Sequence, residues 1–122
     1  MAYLADTHIV LWAMDEFEKL TPTQREILES DAEVLVSVAS IWEMAIKASI
    51  GKLEIPQPIT PLLLDMGFQI FPITPDHVEA TRTLPLHHRD PFDRLLIAQA
   101  QLESLTLLSA DKRLEQYGVK VV

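Results

Sequence analysis

Five acids in this chain of 122 residues stand where type and setting could do chemistry. Asp6 halts the apolar run Ala2-Tyr3-Leu4-Ala5, and Asp111 follows Leu107-Leu108-Ser109-Ala110 in the same way. Glu43 interrupts a stretch that is otherwise apolar at helical spacing, and Asp90 and Asp93 bracket Pro91-Phe92. Carboxylates gathered at one place hold hard divalent cations such as magnesium or manganese and leave water positions open. Two such ions, about 3.5 to 4 Å apart, activate a water and offset the charge that builds on a phosphodiester attacked in line. Bare carboxylates that close repel one another, so the cation-free cluster is expected to carry raised pKa values.

Each acid also has a structural reading. Asp6 suits the N-cap of a helix beginning near His8, and Asp111 that of a turn over residues 112–116. Thr7 can equally cap or join the ligand field. Glu43 precedes Lys47 in the favourable order for an i,i+4 ion pair, worth only about 0.3 to 0.5 kcal/mol. Asp90-Pro91 reads as an N-cap with proline at N1, and Asp93 then falls at N3. On that reading backbone N–H groups occupy Asp90, as cap or as support behind the site, and Asp93 is freer to turn its oxygens on a cation. Glu43 alone stays balanced between the two readings. The metal site therefore rests on several acids landing at one end of one sheet.

The remaining chemistry-bearing residues narrow the choice. Cysteine is absent, which excludes disulfides and thiolate metal sites and leaves oxygen or imidazole ligands. His8, His77, His87 and His88 lack an HExxH pattern; His87 and His88, beside Arg89 and Arg94, suit solvent or substrate better than ligation. Trp12, Trp42 and Phe92 read as core. Lys47, Lys52, Arg82, Arg89, Arg94, Lys112 and Arg113 flank the acids and are candidates to meet phosphate, foremost Arg89, Arg94, Lys47 and Lys112. The formal net charge of -8 argues against a broad nucleic-acid face. Divalent cations held by the acids would reverse that locally.

Positioning the acids falls to short apolar strands alternating with helices. Strands are expected over residues 2–5, 34–38, 68–73, 106–108 and, at an edge, 119–122. Helices are expected from about His8, over 24–29 behind a Thr21 cap, over 40–50, 60–66, 75–84 and about 94–103. Buried strands separated by crossover helices predict an α/β fold, a three-layer α/β/α sandwich around a parallel sheet of about five strands. Such sheets bind ligands beyond the carboxyl ends of their strands, where Asp6 and Asp111 fall. Length and composition predict one domain over residues 1–122. No apolar run approaches the roughly 18 to 20 residues of a membrane span, and the start does not read as a signal peptide, which predicts a cytoplasmic protein.

Four pieces in order along the chain resemble the PIN-domain nucleases, specifically VapC-type toxins of bacterial toxin–antitoxin pairs. They are Tyr3 to His8, Ser37 to Met44, His88 to Ala100 with its Asp-Pro-Phe-Asp core, and Leu108 to Asp111. The resemblance implies an α/β/α sandwich, a homodimer, magnesium- or manganese-dependent cleavage of structured RNA, and a cognate antitoxin that occludes the site. It places the family's acidic set on Asp6, Glu43, Asp93 and Asp111, with Asp90 an extra acid of the Asp-Pro-Phe-Asp subgroup. The alternatives are a receiver-like signalling domain, or a silent interaction module that keeps the same fold. A receiver would need paired acids at the first strand end, where Thr7 follows Asp6.

Overall fold

The structure, a computed structural model, describes residues 2–122. It runs β1 (Ala2–Ala5), α1 (Thr7–Asp15), α2 (Pro22–Glu29), β2 (Glu33–Ser37), α3 (Val38–Ser49), α4 (Ile59–Asp65), β3 (Gln69–Phe71), α5 (Pro75–Ala80), α6 (Pro91–Glu103) and β4 (Thr106–Leu108). Tight 3-10 turns lie at Phe17–Lys19, Thr81–Thr83 and Lys112–Tyr117.

All strand pairs are parallel, and the sheet order is β3-β2-β1-β4. Register follows from which side chains must be buried together: Leu4 aligns with Leu35 and Leu107, Ala5 with Val36 and Leu108. Because successive strand residues face opposite sides, these two rows feed two cores. Leu4, Leu35 and Leu107 join Leu96, Ile97 and Leu114 on one face; Ala5, Val36 and Leu108 join Ile9, Val10, Met44 and Leu63 on the other. Two apolar faces covered by helices make the expected three layers. The order differs from the 2-1-3-4-5 of receiver-type sheets, so the receiver alternative falls on topology.

Two expectations about strands need correction. The sheet has four strands, not about five: residues 119–122 make a single bridge, Val121 to Leu107, after Gly118 turns the chain at φ +78°. β2 stops at Ser37, although Val38 is β-branched, because the Ser37 hydroxyl accepts from the Ala39 N–H at 3.0 Å and caps α3. Elsewhere the caps fall as the sequence implies. Thr21 and Gln24 form a capping box on α2, and Thr74 and His77 one on α5.

Candidate active site

β1 is flanked by β2 on one side and β4 on the other, so the strand order reverses between β1 and β4. In an open parallel sheet that reversal leaves a crevice beyond the carboxyl ends of the strands. Asp6 and Asp111 follow those two ends. Asp93, from the first turn of α6, reaches the same place. A cavity of about 460 Å³ is lined by Asp6, His8, Trp12, His88, Asp93, Asp111 and Arg113.

The structural and chemical readings of Asp6 coexist on its two oxygens. Oδ1 accepts from the Ile9 N–H at 3.0 Å and caps α1, while Oδ2 accepts from the Ser109 hydroxyl at 2.5 Å. The residue is 7% exposed. Burial holds its pKa above the ordinary carboxylate value, the charge of Glu43 adds to the rise, and the two hydrogen bonds oppose it.

Asp93 is raised as well, first by burial and then by Asp90 and Asp6, against a hydrogen bond from His88. The His88 Nε2 lies 2.8 Å from Asp93 Oδ2 and 3.9 Å from Asp111 Oδ2. Asp111 departs from the expected rise. Arg113 grips it with Nε on Oδ1 at 2.9 Å and Nη2 on Oδ2 at 2.8 Å, and this lowers its pKa. Burial is thus the larger cause of the raised values and like-charge repulsion the smaller, and at Asp111 the Arg113 guanidinium outweighs burial.

Glu43 does not line the cavity. Its Oε1 accepts from the Thr7 hydroxyl at 2.5 Å and its Oε2 pairs with Lys47 at 3.2 Å, so it stands behind Thr7 at the border of the site. Asp90 caps α6, its Oδ1 accepting from the Phe92 and Asp93 N–H groups at 2.8 and 3.1 Å.

The expected phosphate-meeting cations are dispersed. Arg94 donates to the carbonyls of Thr81, Leu84, Pro85 and His88, so its guanidinium is committed to the segment before α6. The Lys112 Nζ donates to the Val121 carbonyl. Arg89 is exposed. Trp42, read from sequence as core, is 61% exposed and meets Phe92 edge-on at 5.3 Å between ring centres.

Sequence reasoning misses one participant, Ser109, and gives two others, His88 and Arg113, a different role. Ser109, fully buried, donates to Asp6 and accepts from the Asp111 N–H at 3.0 Å, tying two acids through one hydroxyl. Its only signal is a small hydroxyl at a strand end two residues before an acid. His88 and Arg113 were read as solvent- or phosphate-facing and instead touch the acids.

These residues suit a hard cation in donor chemistry: oxygen ligands, two of them partly shielded from water. Among the described residues no group of three or more His, Asp or Glu stands close enough together to cage an ion as it is. His88 and Arg113 occupy the space and the oxygens between Asp93 and Asp111.

Residues 3–120 match the PIN domain. Ribonuclease VapC22 of Mycobacterium tuberculosis is 26% identical over 117 residues, covering 93% of this chain and 90% of that protein. The fold is similar to the crystal structure of VapBC2 from Rickettsia felis bound to a DNA fragment from their promoter, with a TM-score of 0.74 and 16% identity over 100% of this chain and 98% of that one. A toxin–antitoxin complex from Klebsiella pneumoniae gives a TM-score of 0.69 at 21% identity, over 98% and 95% of the two chains.

Proposed function

The chain belongs to the PIN domain family, and from that premise we propose that it is a magnesium- or manganese-dependent endoribonuclease, the toxin of a toxin–antitoxin pair. The observation that carries the reading is the convergence of Asp6, Asp93 and Asp111 on one cavity at the strand-order reversal, two of them with raised pKa. The similarity to a ribonuclease and to toxin–antitoxin complexes supports it.

In this proposal Asp6, Asp93 and Asp111 hold the cation, with Glu43 contributing from the border of the site through Thr7. A bound divalent cation supplies an acidified water and offsets charge on the phosphoryl oxygens. The reaction is hydrolysis: a water oxygen bonds to phosphorus as the bond to the leaving ribose oxygen breaks. Ser109 keeps Asp6 fixed, and the α1 cap keeps its second oxygen in register. Arg89, which is exposed, and Lys47, which pairs with Glu43, are proposed to meet phosphate. A homodimer, an antitoxin partner and a cytoplasmic setting complete the reading; among the described residues no helix is long and apolar enough to cross a membrane. A silent module is disfavoured because the acidic set is complete.

The test is purified protein with a transfer RNA pool, with manganese or with EDTA. Wild type is expected to cut only with manganese, and Asp6→Asn and Asp93→Asn to lose at least about 100-fold in rate, as when a transition-state contact is removed. Asp90→Ala is expected to retain cleavage and lose about 0.5 to 2 kcal/mol of stability for a missing cap. RNA left equally intact by wild type and Asp6→Asn would end the nuclease reading, and loss of cleavage in Asp90→Ala alone would exchange the roles of the two aspartates.

A further inference from the structure

Both oxygens of Asp111 are engaged by Arg113. Oδ1 accepts from both the Arg113 backbone N–H and its Nε, at 3.0 and 2.9 Å, and Oδ2 accepts from Nη2 at 2.8 Å with the His88 ring 3.9 Å away. The guanidinium that holds it is itself 73% exposed and lines the cavity beside Asp93, whose charge it also feels. Among the described residues no other hydrogen bond fixes the Arg113 side chain. An ion pair this exposed is screened and weakly held. A divalent cation that engages Asp111 must displace the fork. The released guanidinium, two residues along at the cavity rim, is a planar donor set that matches phosphate as well as it matches carboxylate.

We propose that Arg113 has two stations: counter-ion of Asp111 without a divalent cation, and phosphate ligand for RNA once the cation has taken Asp111. This rests on the cation-dependent ribonuclease reading above and deepens it, because it makes cation loading and RNA binding reinforce one another. By linkage each then strengthens the other by the same factor.

Two binding measurements without turnover test this in Arg113→Ala and Arg113→Lys. The first is calorimetric titration with manganese alone. Removing the competitor is expected to tighten manganese binding in Arg113→Ala by about two- to fivefold, the range of an exposed ion pair. Arg113→Lys, charged but unable to fork, falls between it and wild type.

The second is retention of a labelled transfer RNA pool by filter binding in calcium. Arg113→Ala is expected to bind about tenfold more weakly, as for loss of a charged hydrogen-bonding partner. Its log–log salt dependence becomes shallower by about one phosphate contact, and the difference from wild type disappears in EDTA.

A side chain with a merely structural role would weaken manganese and RNA binding together, so weaker or unchanged manganese binding in Arg113→Ala overturns the proposal. Tighter manganese binding with unchanged RNA binding overturns the second station. Failure of wild type to bind manganese at all overturns the cation-site reading and this inference with it, whereas the other two failures leave that reading standing.

Discussion

At the scale of single residues, the site is built from groups that do two jobs at once. Asp6 caps α1 with one oxygen and offers the other to the cavity, where Ser109 holds it. The cap fixes the direction of the carboxylate and burial raises its pKa, so the structural role prepares the chemical one. A carboxyl whose pKa is higher folded than unfolded favours the fold most below the ordinary value of 3.8, and that contribution is lost as pH rises through the folded value. Without a divalent cation, ionised Asp6 therefore costs stability at neutral pH. Asn keeps the cap and removes the charge. Asp6→Asn is expected to raise the cation-free thermal midpoint at pH 7 by about 4 °C, the shift of about 1 kcal/mol in a domain of this size, and the gain should vanish near pH 4. Differential scanning fluorimetry in EDTA across that range checks it; a gain unchanged at pH 4 would mean the charge of Asp6 is not its source. Asp111 has the opposite sign, its lowered pKa giving stability that is lost as pH falls, while Asp93, raised in part by the charge of Asp6, is relieved along with it in Asp6→Asn. The acids were legible from sequence because Asp6, Glu43 and Asp111 interrupt apolar patterns and Asp90 and Asp93 bracket a helix start. The local Glu43–Lys47 pair was legible too, but the distant partners were not, because Ser109 reaches Asp6 across 103 positions and His88 reaches Asp111 across an intervening helix.

At the scale of elements, caps and strand ends decide where side chains emerge, and these were the most readable features. Thr21, Thr74 and Asp90 cap the helices that their sequences announce. The failures occur where local preference is not what decides: Val38 favours a strand by type but follows a capping Ser37, and residues 119–122 are β-prone but form one bridge. The segment before α6 shows a different limit. Its backbone has little regular pairing beyond the Thr81–Thr83 turn, and Arg94 compensates by donating to four of its carbonyls, including that of His88. Sequence alone suggested phosphate for that guanidinium, since a loop's orphan carbonyls are not visible in a string. Arg94→Ala is expected to cost about 1 to 3 kcal/mol, the range for hydrogen bonds to a charged group. Hydrogen exchange should quicken over residues 81–90 and stay unchanged in β1 and β2. Arg94→Lys should recover little, for want of a fork. Uniform quickening would point to a general loss of stability, and full rescue by Lys to a point charge without the clamp.

At the scale of the whole molecule, the charge and the exposed apolar surface pull in different directions. A net charge of -8 keeps copies of the chain apart in solution. Yet the outermost residues of α3 and its cap, Val38, Trp42, Ala45, Ile46, Ser49 and Ile50, carry no charge, and Trp42 alone is 61% exposed. Sequence periodicity placed Trp42 in the core because an apolar stripe looks alike whether it packs inside the chain or against another. In a two-fold pair each residue faces the same patch of its copy, so a charged face would oppose itself, and an uncharged one suits self-association in an acidic chain. The proposed homodimer is therefore expected to use this face, which lies about a quarter turn around α3 from Glu43 and packs through Phe92 against the turn that holds Asp93. Trp42→Glu sets two carboxylates against each other near the axis and removes an aromatic anchor, a change of several kcal/mol at a desolvated interface. Sedimentation equilibrium at tens of micromolar should then find the wild type as a pair and Trp42→Glu at the 13.8 kDa of one chain, with an unchanged far-ultraviolet circular dichroism spectrum. A wild type already at 13.8 kDa would end the dimer proposal. A variant that stays paired would move the interface to another face and leave α3 to some other partner.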